Sequence, residues 1–169
     1  MTILEVAVVM VIIAILATML VPLYSSYREH AFEVKCMGNL RNLYVAASGY
    51  LEANKSWPQI PANLFASDPL TYAKSWVQAL TPYGAPHPVW ICPSLQASLQ
   101  LTMDDIETDA YYRIDYIAPP FDSSEGSPRR SSRHPWFVET AGLHSRGNLL
   151  ILADGTTTSI LDLSVKPAQ

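Results

Sequence analysis

Ile3-Leu4-Glu5-Val6-Ala7-Val8-Val9-Met10-Val11-Ile12-Ile13-Ala14-Ile15-Leu16-Ala17-Thr18-Met19-Leu20-Val21 is the stretch on which the fold turns. Only Glu5 and Thr18 interrupt its apolar run, and no charge falls between Val6 and Leu23. As an α-helix, a run of about 19 residues spans roughly 30 Å, the thickness of a bilayer core. A secretory signal peptide would carry a basic opening, a shorter apolar stretch and a small-residue cleavage site. The chain opens instead with Met1-Thr2-Ile3-Leu4-Glu5, an acid and no base. An acid inside an apolar helix costs a few kcal/mol by insertion scales, so it has a partner or a task. One reading lets Glu5 snorkel into water at the membrane edge; the other gives it a cationic partner on a neighbouring chain.

Beyond Pro22 the pattern changes without ending the helix. Proline removes one helical hydrogen bond and bends the axis. After it Tyr27, Ala31, Val34, Leu40, Leu43, Tyr44, Ala47 and Leu51 recur at three- and four-residue steps, one amphipathic stripe. Gly38 and Gly49 weaken the helix locally, and Trp57-Pro58 with Pro61 stops it. The chain thus divides into a helix over 1–55, apolar all round in 1–24 and one-faced in 25–55, and a head over 56–169.

Hydrophobic residues make up 49% of the 169 and charged ones 15%, and the apolar surplus sits in the first helix. A net charge of −4 argues against a nucleic-acid partner, which needs clustered Lys and Arg. The one basic cluster, Arg129, Arg130 and Arg133, lies among Ser and Pro and reads as a solvated loop. Two cysteines, Cys36 and Cys92, exclude a Cys-rich metal site and a haem attachment motif.

In the head, Ala73 to Leu80 reads as a short helix followed by a turn at Tyr83-Gly84. Ala110 to Ala118 and Trp136 to Glu139 read as strands, and the segment from Asp122 to Pro135 as an exposed loop. Asn148 to Ala153 and Thr156 to Leu161 flank Asp154-Gly155, a hairpin signal in which both turn positions want positive φ. The fold class is α+β, a helical spine whose amphipathic half carries a small antiparallel sheet.

The opening residues Met1, Thr2, Ile3, Leu4 and Glu5, with Pro22, Tyr24 and Tyr27, resemble a mature type IV pilin or type II secretion pseudopilin. Ala14 departs from the family, many of whose members carry a helix-weakening Gly there. The head has a second resemblance. Cys36-Met37-Gly38-Asn39-Leu40, then Trp90-Ile91-Cys92-Pro93-Ser94, then His144 with Asp154-Gly155 after a nine-residue gap, is similar to the H-x9-DG group of prepilin-like proteins of planctomycete and verrucomicrobial bacteria. The resemblance implies a pilin-like fold and a chain that starts where prepilin peptidase cuts, with Met1 N-methylated. It makes Met1, Glu5 and Pro22 the assembly residues, the amine of Met1 on an incoming subunit neutralising Glu5 of one already in place. Such a pair would be desolvated on both sides and would set register more than it adds stability.

The head of a pilin-like subunit faces an oxidising compartment, where disulfides persist. There Cys36 and Cys92 are expected to bridge helix and head, the alternative being two separate buried thiols. Closing a loop of about 57 residues contributes roughly 4 kcal/mol in the chain-entropy model. A nucleophilic cysteine is disfavoured, because His87, His134 and His144 sit in no recognisable arrangement with either one. His144 and Asp154 lie at opposite ends of a predicted strand, about 30 Å apart if it is straight, so an acid–base pair is not expected. They are read as structural, Asp154 in the turn and His144 where the strand begins. Asp122, Asp154 and Asp162 offer hard oxygens, but not in the spacing of a calcium loop.

The expectation is therefore a structural subunit, neither an enzyme nor a cofactor or metal binder. It waits in the inner membrane and polymerises through its helix into an extracellular type IV pilus-like filament, with prepilin peptidase and an assembly machine as partners. A pseudopilin forming a short periplasmic filament is the nearest alternative. A membrane-anchored binding or enzymatic ectodomain is the third reading, and it leaves Glu5 unexplained.

Overall fold

The computed structural model describes residues 2–124, 126–141, 144 and 147–165. Side chains at 19–23, 25, 26 and 165 lie outside that description, as does Met1. The expectations placed on Met1 and on the ring of Pro22 therefore fall outside the described residues.

One α-helix, α1, runs from Ile3 to Asn54. Its start is a reciprocal capping box. The Glu5 N–H donates to Thr2 Oγ1 (3.4 Å), and Glu5 Oε2 accepts from the Thr2 N–H (2.7 Å). Both satisfy amides that a helix leaves without partners. The end is equally local. Lys55 adopts a left-handed conformation (φ 58°) and its N–H closes back on the Leu51 carbonyl at 2.9 Å, two residues ahead of Trp57-Pro58.

The head touches only the last third of α1. Cys36, Leu40, Leu43, Ala46, Ala47 and Leu51 are buried, at the three- and four-residue spacing of one helical face. The stripe expected from Tyr27 onward starts nine residues later: Tyr27, Ala31 and Val34 are exposed, because among the described residues the head does not cover them. From Ile3 to Cys36 the helix projects about 50 Å at 1.5 Å per residue. Its described side chains from Ile3 to Leu16 stay exposed, Ile3 at 92% and Met10 at 65%. Among the described residues no helix is long and apolar enough to cross a membrane.

Helices α2 (Leu64–Ser67) and α3 (Pro69–Leu80) follow. Asp68 caps α3 by accepting from the Thr71 N–H (3.0 Å), with Pro69 in the first turn, so this helix starts before the expected Ala73. Gly49 of α1 gives room to Tyr83 in the turn that follows, since a Cβ there would lie 3.2 Å from the ring. Helices α4 (Pro93–Leu99) and α5 (Met103–Ile106) precede the sheet.

The sheet is antiparallel with strand order β1 (Tyr116–Ile117), β2 (Pro135–Glu139), β3 (Leu149–Leu152) and β4 (Thr157–Ser159). The long strand expected over Ala110 to Ala118 contracts to two residues. In the expected loop before β2, Pro128 is buried and its carbonyl accepts from Trp136 Nε1 at 2.8 Å. A register shift between Pro135 and Phe137 leaves Trp136 and Phe137 both buried, as a bulge does.

The Asp154-Gly155 turn forms, with a correction: among the turn residues only Gly155 has positive φ (81°). The Leu152 carbonyl accepts from the Gly155 N–H and the Leu152 N–H donates to the Thr156 carbonyl, both at 2.9 Å. This is the three-residue hairpin loop, a type I turn closed by one left-handed residue, rather than the two-residue loop. The tip rests on α1, where the Tyr44 hydroxyl donates to the Ala153 carbonyl (3.2 Å). The strand expected through Leu161 ends at Ser159, whose hydroxyl accepts from the Asp162 N–H (3.1 Å) and opens α6 (Ile160–Val165).

Between α1, α3 and the sheet lies an aromatic core. Trp57 is fully buried, with ring centroids 5.0 Å from Phe121, 5.1 Å from Trp136, 6.0 Å from Phe137 and 6.1 Å from Trp76. Most of these contacts are edge-to-face, the favoured arrangement of ring quadrupoles.

Candidate functional site

Two regions carry chemistry that a folded head alone does not require. The first is the projecting half of α1. Leaving its aliphatic side chains in water forgoes a stabilisation on the order of 10 kcal/mol. In its apolar first part, Ile3 to Leu16, the one acid is Glu5, which holds Thr2 through Oε2. The task of Glu5 in the isolated chain is thus a helix cap, a role that Thr-x-x-Glu signals in the sequence.

The second region is a buried polar cluster where α1 meets the head. Cys36 comes from α1, Cys92 from the loop ahead of α4, Glu139 from the last position of β2, and His144 from the β2–β3 connection. All four are buried, and one ligand atom from each lies within 4.8 Å of the others. The two sulfurs are 3.1 Å apart and unbonded. His144 Nε2 is 3.2 Å from Glu139 Oε1, and the Leu149 N–H donates to Glu139 Oε2 at 3.2 Å. Tyr116, the cross-strand partner of Glu139, brings its buried hydroxyl to the Cys36 sulfur.

The surroundings hold these groups in place. Asn39, almost one turn beyond Cys36, donates to the Ile91 carbonyl (2.9 Å). Asp115 Oδ2 accepts from the Cys92 N–H (2.7 Å), while its Oδ1 accepts from Arg113 Nε (2.8 Å). Burial pushes the Asp115 carboxyl above its ordinary range, with Arg113 and the Cys92 amide opposing.

The electrostatics of the cluster are mutual. Its contact with Cys92 lowers the Cys36 thiol to about 7 against the cost of burial. The same contact, joined by burial, pushes the Cys92 thiol up. Burial works against a charged His144, yet the Glu139 carboxylate and the Cys36 sulfur outweigh it and hold the imidazole above its usual value.

Of the residues singled out in the sequence, the structure joins Cys36, Cys92 and His144. It separates His144 from Asp154, whose Oδ1 accepts from the Thr156 N–H (2.8 Å) inside its own turn. His144 does not merely begin a strand: it is a member of the buried cluster. Nothing in the sequence marks Glu139, because a lone Glu at the end of a short strand gives no sign of facing inward. His87 stacks on Tyr112 at 4.0 Å and His134 packs on Phe121 at 5.0 Å, both away from the cysteines.

No protein-family model, no curated protein and no solved structure matches this chain.

Proposed function

We infer that the chain is a structural subunit that polymerises through the projecting half of α1, in the manner of a type IV pilin. The observation that carries this reading is the helix itself. About 50 Å of it stands clear of the head at 1.5 Å per residue, and its described side chains from Ile3 to Leu16 are exposed and aliphatic apart from Glu5. Lipid can cover such a surface, and so can copies of the same helix. A filament does both in turn, with the inner membrane storing the subunit before assembly.

Glu5 favours the polymer over a permanent anchor. The helix cap serves an anchor and a polymer alike, but in a polymer a staggered neighbour also brings an amine to the carboxylate. The capping box presents that carboxylate at a fixed place on the first turn. Exposed Tyr24, Tyr27 and Val34, uncovered by their own head, suit contact with adjacent subunits. An extracellular pilus-like fibre is the preferred product, and a short periplasmic pseudopilus is the second reading.

Electron microscopy of fibres sheared from cells carrying an epitope tag on this chain tests the reading. Long antibody-decorated fibres are the expected result. Label confined to the cell envelope would overturn the surface filament.

A further inference from the structure

We propose that Cys36, Cys92, Glu139 and His144 form a closed structural site for a divalent cation of the zinc class, clamping the long helix to the head. The geometry comes first. In a tetrahedral zinc site the metal lies about 2.3 Å from sulfur and about 2.0–2.2 Å from nitrogen or oxygen, so its ligands sit roughly 3.3–3.8 Å from one another. Here the four candidate atoms all lie within 4.8 Å, with the sulfurs 3.1 Å apart and the imidazole nitrogen 3.2 Å from the carboxylate. Small rotations of side chains already converging on one point reach the required spacing.

The donor set selects the ion. Two thiolates with one imidazole and one carboxylate suit zinc, whereas calcium and magnesium take oxygen ligands. Four protein donors fill a tetrahedron and leave no open position, which makes the site structural rather than catalytic.

The supporting groups are those a metal site needs. The Leu149 amide orients the carboxylate through its second oxygen. The buried Tyr116 hydroxyl beside Cys36 can donate to a thiolate. Asn39 and Asp115 fix the Cys92 loop against α1 and the sheet. A disulfide uses only the two sulfurs and leaves the Glu139 carboxylate and the His144 imidazole paired with each other beside it. A metal uses all four. On binding, the thiol protons of Cys36 and Cys92 pass to solvent, and His144 enters as the neutral imidazole.

The test uses the full chain in detergent, reduced, stripped with a chelator and then titrated with Co2+. Expected are a thiolate-to-cobalt charge-transfer band and strong tetrahedral d–d bands, saturating at one ion per chain and bleached by Zn2+. Loss of even an outer-shell partner typically weakens metal binding by about 10–100-fold, so Glu139→Gln is expected to weaken Co2+ binding by at least about 100-fold. The charge-transfer band itself persists in that variant, since both sulfurs remain. Because the decisive spectrum is that of the unsubstituted protein, a variant that misfolds does not blunt the test. A reduced, folded chain that gives no charge-transfer band overturns the site. So does Co2+ binding that survives Cys36→Ser and Cys92→Ser together.

Discussion

Replacing Glu5 with lysine is expected to abolish polymerisation while leaving the chain in the membrane fraction. Three effects act together in Glu5→Lys. The substitution removes the carboxylate that holds the Thr2 amide (2.7 Å). It places a cation at the positive end of the helix dipole, unfavourable by about 0.3–1 kcal/mol. It also sets like charge against any incoming amine in a site that assembly dries, where an unpaired charge costs about 3–5 kcal/mol. Insertion is spared, because the apolar run that follows is untouched.

Two gentler substitutions separate the cap from the charge. Glu5→Gln keeps the capping box, which glutamine completes as well as glutamate does, but carries no charge. Glu5→Ala removes both. Fibre yield measured by shearing and immunoblot is expected to fall to background in all three variants. Normal fibres from Glu5→Gln would show that helix capping is the whole of the residue's task and that no charge pairing guides assembly.

The largest loss of head stability is expected from Trp57→Ala. Trp57 is fully buried where α1 ends and meets rings from α3, from the loop before β2 and from β2 itself. Truncating a buried aromatic side chain to alanine costs about 3–5 kcal/mol through lost transfer energy and the remaining cavity. Domain stability is typically about 5–15 kcal/mol, so the head becomes marginal. Trp57→Phe should cost far less. It keeps an aromatic ring, leaves a smaller gap than alanine does, and removes an indole N–H that is already buried without a partner, which sacrifices no hydrogen bond. Guanidinium unfolding of the detergent-solubilised chain, followed by near-ultraviolet circular dichroism, measures both. Equal midpoints for Trp57→Ala and the parent would place the core elsewhere.

Local signals carried most of the fold. An unbroken apolar run with helical spacing after it gave α1, and the proline cluster beyond Trp57 placed its end to within a few residues. Asp154-Gly155 marked the last hairpin, although not the three-residue form of its loop. The extent of the buried stripe was not legible, because Tyr27 and Leu40 look alike in sequence and only the position of the head tells them apart. The capping box was written in Thr2 and Glu5, but an acid beside a long apolar run draws attention to membranes before caps.

The buried cluster was legible only in fragments. Cys36, Cys92 and His144 stood out within motifs, yet their separations of tens of residues exclude any local pattern. Glu139 completes the group through events that follow from packing. A bulge at Trp136 resets the alternation of β2, and pairing with Tyr116 then places Glu139 on the face turned toward α1. No composition or periodicity encodes that step.

The central claim is that the projecting half of α1 packs against copies of itself. A photo-reactive amino acid at Ile12, 52% exposed in the middle of the apolar run, tests it on intact cells. Irradiation is expected to give a ladder of covalent dimers, trimers and higher multiples of this chain, weakened in Glu5→Lys cells. Monomer alone, or adducts only to lipid and unrelated proteins, would contradict the account.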